Sequence, residues 1–83
     1  MLYNIENELV GQKNAILTLV NEGKHEEALT LLKFVEPLWN SVGYGYKARE
    51  IRERIRDVAR HNEVQATHHM TAAKWERIYA MAS

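Results

Sequence analysis

A run of tyrosines and arginines between residues 43 and 61 is the part of this sequence best suited to binding chemistry. The run is GYGYKAREIRERIRDVARH. At 100° per residue along a helix, the four arginines from Arg49 to Arg60 that recur every three or four positions fall on one flank. Guanidinium groups bind carboxylates and phosphates, and aromatic faces stack on bases or pack into protein interfaces. The predicted partner-binding residues are Tyr44, Tyr46, Lys47, Arg49, Arg52, Arg56 and Arg60.

The same run carries an apolar stripe that a helix would bury. The stripe spans about one third of the helix circumference and comprises Ala48, Ile51, Ile55, Val58, Ala59 and Asn62. Glu50, Glu53 and Asp57 fall on the far side and offset half of the cations. We therefore expect a helix that packs on a core and shows a cationic edge, rather than a wholly basic rod.

The whole-chain totals predict one small domain, residues 1–83, in a cytoplasmic setting. The chain contains no cysteine, which fits a reducing compartment and rules out a disulfide framework. Its apolar runs are too short for a membrane span, and its first residues, MLYNIENELV, lack the basic and apolar regions of a signal peptide.

Charge is distributed unevenly along this neutral chain. Residues 1–43 hold three Lys and six Glu, a net charge of −3, whereas residues 44–83 hold eight Lys or Arg and five acids, a net charge of +3. This asymmetry suits three uses: packing of the two halves on each other, antiparallel pairing of two copies, or a basic face for an anionic partner.

Hydrophobic periodicity predicts an all-α fold, a small bundle of three main helices plus a short C-terminal helix. The first helix covers residues 3–22 and ends at Gly23, and the second covers 24–35 and ends or kinks at Pro37. The third begins at Tyr46, after the Gly-Tyr-Gly-Tyr loop. One long helix over 46–82 is an alternative, because no Gly or Pro follows Tyr46. The apolar stripe changes phase, however, and favours a break between residues 61 and 71, with Thr71 capping a last helix over 72–82.

Residues 15–37, AILTLVNEGKHEEALTLLKFVEP, resemble a single tetratricopeptide-type helical hairpin. The resemblance rests on the turn at Gly23, the Glu-Glu-Ala-Leu start of the second helix and the closing Pro37. It implies two closely packed antiparallel helices and a protein-binding role. The match covers about a quarter of the chain, and no further copy of the pattern follows, so a solenoid of three or more repeats is not expected.

Arg56 and His61 form an R-x4-H pattern that resembles the motif of HEPN-type ribonucleases, which are helical dimers. The resemblance implies that His61 acts as general acid or base and that Arg56 holds a phosphate. The histidines otherwise predict no metal site, because His61 and His68 would lie about 10.5 Å apart along one helix.

These observations favour a non-catalytic protein-interaction module that acts as an adaptor or inhibitor and forms a homodimer, without cofactor or metal. Its size is similar to that of small phage-encoded accessory regulators. Two alternatives remain: an HEPN-like ribonuclease that uses Arg56 and His61 across a dimer, and capture of a nucleotide or short nucleic acid by Tyr44, Tyr46 and the arginine flank.

Overall fold

The computed structural model describes residues 5–83 and shows, within that range, four α-helices and no strand. They are α1 (Ile5–Asn21), α2 (His25–Ser41), α3 (Gly45–Gln65) and α4 (His69–Ala82). The all-α prediction is confirmed, and α4, with 14 residues, is the shortest helix. Residues 3 and 4, which belong to the predicted first helix, lie outside the described range.

Gly23 ends α1 as predicted, because it adopts a left-handed backbone with φ of 80°. The amide of Lys24 donates a hydrogen bond of 2.8 Å to the carbonyl of Leu19, which closes the six-residue loop of a Schellman turn. A side chain at position 23 would be strained at this φ, so glycine sets where α1 stops and α2 begins.

Gly43 makes a second turn of the same kind at the end of α2. Its φ is 78°, and the amide of Tyr44 donates a 2.7 Å hydrogen bond to the carbonyl of Trp39. The two turns are 20 residues apart, and each glycine is followed five positions later by a fully buried alanine, Ala28 or Ala48. The turn therefore recurs although the longer hairpin pattern does not.

The prediction that α2 ends at residue 35 is wrong, because the helix runs through Pro37 to Ser41. Proline removes one helical hydrogen bond and costs roughly 3 kcal/mol in a helix interior. The extra turn buries Trp39 completely. Burial of ~200 Å² of indole at ~25 cal/mol/Å² stabilises by about 5 kcal/mol, which exceeds the cost of the proline.

The predicted break between α3 and α4 is confirmed, and it falls at residues 66–68. The predicted cap, Thr71, is wrong: His68 occupies the cap position with extended backbone, and its Nδ1 accepts a 3.2 Å hydrogen bond from the amide of Met70. An imidazole nitrogen thus does what a hydroxyl oxygen does in commoner caps, and α4 starts three residues earlier than expected.

Helix α2 lies between the others and packs against α1, α3 and α4. The largest fully buried side chains come from all four helices: Trp39, Ile16, Leu32, Ile55 and Ile78. The Cα atoms extend over 54 × 20 × 15 Å, so the domain is elongated. Within the described part of the chain, no helix has the length and apolar character that a membrane span requires.

Candidate functional site

Part of the predicted binding surface forms a groove between the end of α2 and the start of α3. We call it the arginine groove; its volume is about 380 Å³, and it is lined by Glu36, Asn40, Gly43, Gly45, Tyr46, Arg49, Arg52 and Arg56. Four of the seven predicted residues therefore converge there. Arg60 lies on the same flank of α3, one turn beyond Arg56, and is exposed.

An ion pair between Arg52 and Glu36 forms the wall of the arginine groove and joins α3 to α2. Both guanidinium Nη atoms donate to the two carboxylate oxygens, and each side chain is 24% exposed. The hydrogen bonds from Arg52 lower the pKa of Glu36, and Glu36 raises the pKa of Arg52 in return. A paired arginine of this kind is fixed in orientation and largely neutralised.

Arg56 and Arg49 differ in how much of their hydrogen-bonding capacity the fold uses. Arg56 Nη1 donates a 3.2 Å hydrogen bond to the carbonyl of Ala82, one of the carbonyls that the end of α4 leaves without a helical partner. Arg49 is exposed and makes no side-chain hydrogen bond or ion pair with any described residue. Among the three arginines that line the groove, Arg49 is thus the one most available to a ligand.

The arginine groove is electropositive although the chain is neutral. Three guanidinium groups face one carboxylate, that of Glu36, so 3 − 1 gives a net charge of +2. Tyr46 at the rim is 54% exposed, and its ring meets that of Tyr44 edge-on at 5.5 Å. A carboxylate or phosphate placed at Arg49 would find charge-assisted donors beside an aromatic surface.

Tyr44 and Lys47 lie away from the arginine groove. Tyr44 is half-buried and packs edge-on against Trp39, with ring centroids 5.0 Å apart. Lys47 lies on another side of α3, where its Nζ is 3.0 Å from a carboxylate oxygen of Glu50. The sequence grouped these two residues with the arginines by type and proximity, and packing against α1 and α2 separates them.

Glu36 and Asn40 are the groove residues that the sequence analysis missed. They lie four positions apart on α2 and so share one face of that helix. That spacing could have marked a polar stripe. It could not have shown that the stripe meets the arginines of α3, because this depends on α2 continuing past Pro37.

The R-x4-H residues are not brought together within one chain. Five positions rotate a helix by 500°, so Arg56 and His61 lie about 140° apart around α3. His61 is exposed, whereas Arg56 bonds the end of α4. Over residues 5–83, no three His, Asp or Glu side chains are grouped as the ligands of a metal ion would be.

A buried histidine lies at a second polar junction, where α4 meets the start of α2. His25 is 7% exposed, and its ring packs edge-on against Trp75 with centroids 5.3 Å apart. Burial lowers the pKa of His25, and the charge of Lys74 lowers it further. Beside it, Arg77 Nε donates a 2.7 Å hydrogen bond to Glu26. The junction therefore holds a neutral imidazole against the α4 indole.

Mild acid is expected to destabilise this junction. Because the pKa of His25 in the folded chain is below its ordinary value of 6.5, the unfolded chain binds the proton more readily. The stability contributed by neutral His25 is complete above pH 6.5 and is lost as the pH falls from there toward the folded pKa. Between pH 7.5 and 5.5 we expect Tm, measured by circular dichroism, to fall by a few degrees.

The matched variants for this prediction are His25→Gln and His61→Gln. His25→Gln should remove most of the pH dependence in this range, since glutamine does not titrate. His61 is exposed, so its substitution should leave the dependence intact. Equal loss in both variants would contradict a role for His25.

Comparison of the chain with known protein families, with curated proteins and with solved structures finds no match.

Proposed function

We propose that this chain is a non-catalytic protein-interaction module, an adaptor or inhibitor, that binds an acidic segment of a partner protein in the arginine groove. The observation that supports this proposal is the convergence of Tyr46, Arg49, Arg52 and Arg56 on one open groove with a single acid, Glu36. Tyrosine and arginine are among the residue types that contribute most to protein interfaces. A partner bound in this way would have its acidic segment covered by this chain.

The aromatic side chains favour an acidic peptide over nucleic acid. Single strands bind to successive aromatic rings on which several bases stack. Here the ring of Tyr44 is engaged by Trp39, and only Tyr46 presents a mostly exposed ring beside the arginines. The groove also carries a net charge of only +2, which suits a few carboxylates better than a long phosphate backbone.

Reversing the charge of Arg49 tests this proposal. We expect Arg49→Glu to weaken binding of a fluorescent glutamate-rich peptide about tenfold, or ~1.4 kcal/mol, because one attraction becomes a repulsion. Arg54→Glu is the matched control: Arg54 is also exposed on α3, but it lines a different groove and contacts Asn21 of α1. Fluorescence anisotropy at several salt concentrations measures both affinities.

Glu36→Gln provides a test of opposite sign. Removing this carboxylate frees Arg52 and raises the net groove charge by one, so the peptide should bind several-fold more tightly. Equal effects of Arg49→Glu and Arg54→Glu would contradict binding in the groove. A single-stranded oligonucleotide of the same charge that binds more tightly than the peptide would favour the nucleic-acid alternative.

A further inference from the structure

The outer face of α2 carries an apolar surface that no other helix within residues 5–83 covers. Phe34 is 84% exposed, more than any other large hydrophobic side chain described. Beside it lie half-buried Leu31 and, from α1, Leu19, and together they line a groove of about 520 Å³. Its rim is acidic, with Glu26 and Glu27 at one end. An isolated exposed leucine is ordinary, whereas a continuous apolar groove usually has an occupant.

The residues of this face recur with the spacing of a coiled-coil seam. Steps of four, three, four and three positions place them along one line of α2, which we call the outer seam: Glu27, Leu31, Phe34, Leu38 and Ser41. Phe34 is at the centre of the line. Its neighbours on both sides are leucines, and its ends are polar, so the outer seam is nearly the same when read in either direction.

This symmetry suits a second copy of the same chain. In an antiparallel pair with a twofold axis at Phe34, the two phenylalanines meet, and Leu31 lies beside Leu38 of the second copy. Glu27 then faces Ser41 of the second copy, because both are seven positions from Phe34. In a parallel pair Glu27 would instead face Glu27 of the second copy, and like charges at such positions destabilise a helix pair.

The charge of the whole chain also permits self-association. Its formal net charge is zero, so two copies do not repel each other at long range. A small elongated domain buries a limited share of its apolar surface by itself. Pairing of two outer seams would remove Phe34 and Leu31 from water in both copies at once.

We propose that a second copy of this chain occupies this face, with α2 packed antiparallel against α2 around Phe34. The surface is distinct from the arginine groove, because Glu36 and Asn40 lie about 160° and 120° from Phe34 around α2. The dimer consequently presents two arginine grooves. A partner with two acidic segments of the right spacing would bind it more tightly than one groove alone allows.

Substitution of Phe34 tests the proposed dimer. Light scattering should give wild-type protein a mass of twice 9.7 kDa at high concentration, and Phe34→Ser a mass of one chain with unchanged circular dichroism. Val64→Ser is the matched control, since Val64 is 80% exposed but lies on α3. This variant should stay dimeric. A wild-type mass of one chain at all concentrations, or a dimeric Phe34→Ser, would overturn the proposal.

A cysteine substitution tests the antiparallel arrangement separately. The chain has no cysteine, so Phe34→Cys introduces a single thiol. The twofold axis would bring this thiol next to the same thiol of the second copy. Oxidation should convert this variant to a covalent dimer, whereas Ala73→Cys, at an exposed position on α4, should remain a monomer on a denaturing gel. Equal cross-linking of both variants, or none at position 34, would overturn the arrangement. None of these readouts depends on the arginine groove.

Discussion

Trp39→Ala is expected to remove a large share of the free energy of unfolding of this chain. Trp39 is completely buried near the end of α2, and its ring packs against Tyr44 at the start of α3. Its Nε1 donates a 2.7 Å hydrogen bond to Oε1 of Gln12 on α1. Large-to-small substitution of a buried tryptophan costs about 3–5 kcal/mol, and a domain of this size has roughly 4–12 kcal/mol in total. Circular dichroism and urea unfolding measure the loss.

Two further variants separate the causes of this loss. Phe34→Ala removes a similar aromatic ring from the same helix at an 84% exposed position, and at low protein concentration it should cost under about 1 kcal/mol. Trp39→Phe keeps a ring in the core but leaves Gln12 without its donor, and should cost roughly 1–3 kcal/mol. A Trp39→Ala protein that unfolds within about 1 kcal/mol of wild type would contradict the central position of Trp39.

Local periodicity was enough to predict the helices, but tertiary packing decided where α2 ends and an uncommon local cap decided where α4 begins. A proline such as Pro37 usually ends a helix when the turn that follows it buries no large apolar side chain. Here the turn that follows carries Trp39, whose burial involves Gln12 of α1, which is 27 positions away and outside any local window. The start of α4 depended instead on an uncommon cap at His68, for which Thr71 was the more ordinary candidate.

The candidate site likewise depends partly on the geometry of one helix and partly on packing between helices. The arginine flank of α3 follows from helical geometry, and Arg49, Arg52 and Arg56 share a groove as that geometry requires. The groove forms where packing of α2 on α3 brings Glu36 alongside Arg52, which local geometry does not show. Residue type and proximity group Tyr44 with the arginines. The sequence contains no sign that the indole of Trp39 would engage its ring.

Ile78→Ala is expected to detach α4 and leave α1–α3 folded. Ile78 is 1% exposed and is, with Ala82, one of two fully packed residues of α4. Its truncation costs about 2–4 kcal/mol. The other links between α4 and α2, the Arg77–Glu26 ion pair and the His25–Trp75 contact, are an exposed pair and a single ring contact. Exposed ion pairs contribute little. Helix α4 also packs along α3, and Ile78 and Ala82 are its buried side chains, so loss of the Ile78 side chain should weaken both contacts and open α4 before the core.

The two tryptophans report separately on α4 and on the α1–α3 core. Trp75 is in α4 and Trp39 is in the α1–α3 core, so each indole N–H resonance follows one of them. In Ile78→Ala the resonance of Trp75 should move toward its value in unfolded protein while that of Trp39 stays. Met81→Ala, at a 42% exposed position of the same helix, should move neither. Simultaneous loss of both resonances in Ile78→Ala would show that α4 and the core unfold as one unit.

Detachment of α4 should also change the arginine groove. Arg56 donates to the Ala82 carbonyl at the end of α4, and this hydrogen bond is lost when α4 opens. The freed guanidinium remains on α3 and becomes available to a carboxylate ligand. Ile78→Ala should therefore bind the glutamate-rich peptide at least as tightly as wild type, although it is less stable. Trp39→Ala, which removes the packing of α2 against α3, should not bind it. If Ile78→Ala binds the peptide and Trp39→Ala does not, the groove is built by α2 and α3. If neither variant binds the peptide, the groove needs the whole domain.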